Sequence, residues 1–502
     1  MNPLASSKCA RRVLMALAAI SGILLIAGCG SSGIIHSLGG GFSKASLKGQ
    51  YVISQTGIGV EQPQVGNGTA PFSETIVFTA DGSGNVNVTV DDFDQVGGPF
   101  TLTSSVAGTY SIASDGTGSM NIGGSNGFNY AITMIDDKHF YIIEQDVFET
   151  ASGFGEMQDT TAFTAAPSGP FIFKAHEIDT SSRVGGITIT AGAIAGTEDF
   201  LSLGLLSTSQ AVATSVSMTA PDATNGRGTF TLTDGSSFNY YVVNSGKFYI
   251  MSNSASGSLE IGQAEAQVAP AGGFSVATLP GSYVFGSSGD TSNPLGIHSA
   301  GVFTTDANGN IESGSSTVPG AVDYVQDTTV NSNLAVSGGT YTLAPNGRGT
   351  INLTLAGGTI SPQIFWTLNG TRAYFLVNST LAVEDGTFSQ QQGAPFTALS
   401  SQAAFVMDGF DVSYKDRVGA FKPTSSGFNW NQAANSFDVN LGGNPSALGT
   451  TGTYQVSSNG RVTVSVNNVT PSLVFYLSSA NTGFMVQEDA DIGGSFSQQA
   501  SQ

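Results

Sequence analysis

The chain has 502 residues, 16 basic and 36 acidic, for a formal net charge of -20. That balance, with no basic patch, excludes a nucleic-acid partner. Charged residues make up 10% and hydrophobic residues 40%, so several well-packed domains with a polar but mostly uncharged surface are expected.

The first element is an export signal. Lys8, Arg11 and Arg12 precede an apolar run over residues 13–26, too short to span a bilayer as a permanent helix. The run ends in Ile26-Ala27-Gly28-Cys29, small residues followed by a cysteine. This segment resembles the lipobox of bacterial lipoproteins. The resemblance implies cleavage between Gly28 and Cys29 and acylation (palmitate among the chains) of Cys29, which becomes the mature N-terminus. Several acyl chains on one residue anchor stably where one alone is marginal. Cys9 falls in the removed peptide, so the mature chain has no disulfide. Loss of residues 1–28 removes three of the 16 basic residues and no acid, leaving a net charge of -23. Gly30 and Ser31 follow the cysteine with no Asp, which points to the outer membrane or cell surface. Residues 29–41 read as a flexible tether.

The remainder is repetitive. Phe42, Phe163, Phe274 and Phe396 open similar phrases, followed by Tyr51, Phe171, Tyr283 and Phe405. A second phrase recurs mid-unit as "SDGTGSMNI", "TNGRGTFTL", "PNGRGTINL" and "SNGRVTVSV", beginning at Ser114, Thr224, Pro345 and Ser458. Each unit closes with a small-residue strand containing Gln. These landmarks divide the mature chain into β repeats at 42–160, 161–271, 272–393 and 394–502. Units 1 and 3, and units 2 and 4, share further phrases, which suggests duplication of a pair.

Within a unit the pattern has period two. Ile351, Leu353 and Leu355 alternate with Asn352 and Thr354, and Gly, Asn or Asp clusters interrupt about every ten residues, the rhythm of an antiparallel meander. Each all-β unit of about 115 residues is expected to be a small eight-stranded barrel, since closure removes exposed edges. Immunoglobulin-like β-sandwich repeats are the alternative. The constant Asn/Asp-Gly of the mid-unit phrase followed by a strand is tight-turn chemistry; a phosphate loop needs a helix after its glycines.

No residue is assigned a catalytic or metal-binding role, and no cofactor is expected. His36, His139, His176 and His298 stand in four separate contexts. Ser125 lies in a Gly-x-Ser-x-Gly match that runs into a strand, where a nucleophile elbow needs a helix. "DGSGN" at Asp81 and "DANGN" at Asp306 read as hairpin turns, not calcium loops. The carboxylates at Asp91, Asp92 and Asp94, at Asp136 and Asp137, at Glu384 and Asp385, and at Glu488, Asp489 and Asp491 read as a solvated rim. Tyr241, Trp366 and Tyr476 belong to adjacent aromatic pairs that put one ring on each strand face. They are candidates for ligand stacking, and burial of both faces, one in the barrel and one against the neighbouring unit, is the preferred reading. The chain as a whole resembles uncharacterised repeat-containing envelope lipoproteins of environmental bacteria, which implies no activity. The expected function is a lipid-anchored envelope protein with a structural, adhesive or binding role. A carrier of small molecules or glycans in barrel interiors is the alternative. Besides the membrane, the partner classes are a glycan, a small apolar ligand or an envelope protein.

Overall fold

The computed structural model describes residues 41–500 apart from 61–68, 96–97, 103, 148, 178–179, 203–204, 255–257, 292–295, 316–317, 327–328, 357, 361–362, 380–381, 400, 411–414, 425–426, 431–435, 442, 444, 450, 467–468 and 489–490. The described part is all-β, in four antiparallel sheets. Gly28 and Cys29 lie outside the described residues.

The first sheet runs from Lys48–Val60 to Glu149–Met157, the second from Gly169–Glu177 to Ile261–Ala266, the third from Gly281–Thr291 to Ala382–Gln390, and the fourth from Ala403–Phe410 to Asp491–Gln498. Strands follow one another as neighbours, an up-and-down order without the crossovers of an immunoglobulin sandwich. The first sheet closes into eight strands where Thr69–Asp81 pairs with Asn85–Gln95. The third closes where Thr329–Leu343 pairs with Arg348–Leu355. The other two are less complete. In the fourth, only three-residue Phe428–Trp430 links Lys415–Pro423 to Thr451–Val456. In the second, Leu205–Ala211 and Ser215–Met218 are not paired. There the Ser215 hydroxyl spans the gap instead, accepting from Ile194 N at 2.7 Å and donating to Gly192 O at 2.8 Å.

The interiors are filled. The third barrel buries Tyr283, Phe285, Phe303, Phe365, Phe375 and Phe388 in one cluster, joined by edge-to-face contacts such as Phe285–Phe375 at 6.1 Å. The first, second and fourth have comparable clusters. Phe42, Phe163, Phe274 and Phe396 plug one end of each barrel and are buried. Beneath each plug sits the Gly of the mid-unit turn: Gly116, Gly226, Gly347 and Gly460, with φ between 72° and 92°. A Cβ on Gly226 would lie 2.5 Å from the Phe163 ring. The turn therefore needs glycine twice over, for its positive φ and for the ring that covers it.

The four barrels form a closed ring. The outer face of each unit's opening strands packs on the aromatic strands of the next unit. Val52, Val77 and Val90 meet Tyr241 and Tyr249; Ile172, Val184 and Leu201 meet Trp366 and Tyr374; Val284, Val302 and Ala321 meet Val474 and Tyr476. The fourth unit then meets the first, with Ala404 and Val418 on Ala131, Tyr141 and Ile143. One hydrogen-bond set marks all four junctions. Gln158 donates to Asn225 O and Val242 O, Gln267 to Asn346 O and Thr367 O, and Gln391 to Asn459 O and Leu477 O. Gln499 donates to Asp115 O at 2.9 Å and Met134 O at 2.6 Å, completing the cycle. The contacts are head-to-tail, and a head-to-tail contact makes a ring when its rotation closes.

Candidate functional site

The ring creates two kinds of polar site: the junctions, and the axis on which all four units converge.

At three junctions the mid-unit turn supplies an arginine. Asn225, Asn346 and Asn459 side chains accept from the backbone N of Arg227, Arg348 and Arg461, which fixes the turn and aims each guanidinium at the preceding barrel. Arg227 Nε lies 2.5 Å from Asp92, Arg348 Nη2 2.7 Å from Asp199, and Arg461 Nη2 2.6 Å from Asp323. Each carboxylate accepts a second donor across the junction: the Tyr241 hydroxyl, the Trp366 indole N–H at 2.8 Å, and the Tyr476 hydroxyl. Tyr241, Trp366 and Tyr476 are thus sealed between barrels, each at most 1% exposed, and have no face left for a ligand. One side of their strand lines a core and the other lines a junction, so both rings of each aromatic pair are covered.

The same covering corrects the reading of a solvated rim for six of the carboxylates: Asp91, Asp92, Asp94, Glu384, Asp385 and Asp491 are buried. Asp137 is exposed and Asp136 and Glu488 are half-buried, while Asp489 lies outside the described residues. Neighbouring acids point to opposite strand faces, and here both faces are occupied. Burial pushes Asp94 up to about 7, with Glu177 adding to the shift; it pushes Glu384 to about 7. Asp81 and Asp306, by contrast, close hairpin turns on themselves. Asp306 accepts from Asn308 N and Asn310 N, both at 2.8 Å, and these bonds with the Asn310 side chain hold it down at about 2. Ser125 sits in a short 3-10 turn followed by Phe128–Met134, a strand.

The fourth junction departs from the other three. Thr117 and Thr133 stand where the others carry arginine and its aromatic partner. Among the contacts that close it, Asn440 donates to the carbonyls of Glu144 and Glu149 at 2.7 and 2.6 Å. Tyr141 meets Ser497 at 3.0 Å, and the Thr150 hydroxyl donates to Asp416. Burial, with Asp408 nearby, raises Asp416 to about 7. Asp438 is raised to about 6 by burial and by Asp115.

The barrel interiors are filled over most of their length. The second keeps about 50 Å³ among Phe173, Phe230 and Phe248, floored by Arg183, whose Nε is 2.8 Å from Glu260. The third keeps about 190 Å³ at one end, among Val322, Tyr324, Gln363, Val377 and Glu384. A larger space lies outside the barrels, on the ring axis. The opening and closing strands of all four units enclose two adjoining cavities there, of about 480 and about 150 Å³, which share Thr56, Ser152, Lys174 and His176.

In the smaller cavity, His176 and His298 line one space together with Asp385, Asp408 and Asp416. Residues that are separate in sequence are thus brought together. Burial lowers both histidines, His298 to about 4. The larger cavity draws on three of the 13 basic residues that follow Cys29, Lys174, Lys247 and Arg372. Each is paired: Lys174 with Asp385 at 3.1 Å, Lys247 with Glu156 at 2.5 Å, Arg372 with Glu265 at 2.7 Å. His139 also reaches this group, at 3.5 Å from Glu156. The sequence signal for the axis was the closing strand of each unit. Ser495 and Ser497 alternate with the core residue Phe496 and so present a hydroxylated outer face.

No protein-family model matches this sequence, and no curated protein matches it. Among solved structures, the isotype 1 transferrin-binding protein B of serogroup B Neisseria meningitidis is similar over 69% of this chain and 77% of its own, at 8% identity and a TM-score of 0.22. A double mutant of the same vaccine antigen from Haemophilus parasuis Hp5 matches over 68% and 76%, at 7% identity and 0.20. An intact two-lobed form matches over 91% and 78%, at 7% identity and 0.15. Superpositions this poor carry no inference about the activity of this chain.

Proposed function

We propose that the protein is a lipid-anchored envelope component with a binding or structural role and no catalytic activity, and that its working unit is the ring of four repeats. The repeats run over 42–160, 161–271, 272–393 and 394–502. The observation that supports this most directly is the recurrence of one glutamine bond set at four junctions, including Gln499 to the first unit. Such a ring is a rigid, mostly uncharged body of filled barrels, suited to display at a surface. The lipobox at residues 26–29 supports attachment through Cys29, and the absence of Asp after it supports the outer membrane or cell surface. The partner is a glycan, a small apolar ligand or an envelope protein, met outside the barrels.

The anchor is tested by Cys29→Ser. The variant is expected to accumulate as an uncleaved precursor and to take up no labelled palmitate, where the parent is shortened and labelled. Unchanged cleavage and labelling would overturn the anchor.

A further inference from the structure

We propose that the larger axial cavity is a binding site for a neutral saccharide. The inference deepens the reading of the ring as a binding body, but does not depend on the lipid. Its volume of about 480 Å³ falls within the roughly 300–1,000 Å³ of sites that enclose small organic ligands.

The lining selects the chemistry. Nine Ser and Thr residues face the cavity, among them Ser54 and Ser152 from the first unit, Thr387 and Ser389 from the third, and Ser495 and Ser497 from the fourth. A hydroxyl donates one hydrogen bond and accepts two, which matches the mixed donors and acceptors of a sugar. Half-buried Phe154 and Phe484 add apolar ring surface of the kind that packs on the C–H face of a pyranose.

Charge excludes the rival classes. Three cations line the space, and three carboxylates stand behind them in ion pairs of 2.5–3.1 Å. The sum is neutral. An anion would have to displace Glu156, Glu265 or Asp385 from its partner, and a cation would meet Lys174, Lys247 and Arg372. A neutral polyol leaves every pair intact and hydrogen-bonds to their outer atoms. The site is also a property of the ring: no single unit contributes enough wall to enclose a ligand, and all four contribute.

The test is calorimetric titration of the full chain with maltose, cellobiose and N,N′-diacetylchitobiose, with galacturonate and glucosamine as charged controls. At least one neutral sugar should bind saturably at concentrations up to about 10 mM, and the controls should bind at least about tenfold more weakly. The paired variant Thr387→Leu/Ser389→Leu should weaken that binding about tenfold or more. Ser54→Ala/Ser152→Ala, which removes hydroxyls without adding volume, should weaken it in a protein of unchanged melting temperature. No saturable heat from any neutral sugar would overturn the proposal, as would a charged control binding equally well or the Ser→Ala pair binding like the parent. The same titration on Cys29→Ser separates this site from the anchor, since loss of acylation leaves sugar binding untouched.

Discussion

Replacing Arg461 by Ala is expected to cost the junction between the third and fourth barrels about 3–5 kcal/mol. Asp323 is 1% exposed and Tyr476 fully buried. The Arg461 fork holds the carboxylate by two bonds, Nε at 2.7 Å and Nη2 at 2.6 Å. Burial alone would raise Asp323; the Arg461 hydrogen bonds and charge hold it below its usual value. Without the guanidinium a carboxylate stays in an apolar seam with only hydrogen bonds to satisfy it. Arg461→Lys keeps the charge but loses the fork, and should fall between parent and Ala. The double change Arg461→Met/Asp323→Leu removes both charges and should recover most of the loss. The urea midpoints of the four proteins provide the measurement. A double variant as unstable as Arg461→Ala would show that the pair is not the source of the cost.

The second large effect is a pH dependence of the seam between the fourth and first barrels. Asp416 is pushed up to about 7 and Asp438 to about 6, from a usual value of 3.8. Asp416 faces the hydroxyls of Thr150 and Ser152 on the first barrel and Asp408 on its own. Asp408 is raised to about 6 by burial, though Lys174 opposes the shift. Asp438 faces Asp115. A carboxyl whose folded pKa is raised stabilises the closed state fully below about 3.8, and that contribution is lost as pH rises through 6 to 7. The seam should therefore loosen between pH 5 and pH 8, with Asp416 alone losing on the order of 3 kcal/mol over that interval. Hydrogen exchange at Phe128–Met134, corrected for intrinsic rates, should speed up over this interval, while the equivalent Gln363–Asn369, at a junction whose Asp199 and Asp385 are paired with Arg348 and Lys174, should not. Asp416→Asn should flatten most of the dependence. Equal pH responses at the two strands would refute a local seam.

Strands, turns and repeat period were legible because each is local. Alternation such as Ile351, Leu353 and Leu355 follows from one covered face, and the Asn-Gly turn follows from positive φ. The filled barrel was within reach for the same reason: the aromatic pairs announce two covered faces. The ring was not, because its evidence lies in contacts such as Gln499 to Asp115, 384 residues apart. No periodicity encodes that separation. The buried acids were misjudged for the same reason. Asp92 looks like surface charge until Arg227 of the next unit is placed beside it. One signal was readable in hindsight: the turn phrase carries Arg227, Arg348 and Arg461 in three units and Thr117 in the first, so one of four equivalent contacts had to differ. The axial cavity could be found only after the ring, since its wall is shared among strands from all four repeats.

The hydrogen bonds at the two ends of the folded chain have a topological consequence. Phe42 N bonds to Ser114 O, and Gln499 bonds to Asp115 O, so the entry and exit of the fold are held by adjacent carbonyls of one turn. The polypeptide is thereby drawn into a loop whose two ends almost touch. Three of the four passages from barrel to barrel are covalent and the fourth is not, yet all four use the same glutamine bonds. Which unit comes first is then a matter of where the cycle happens to be cut. A gene cut instead between any other two repeats would encode the same object.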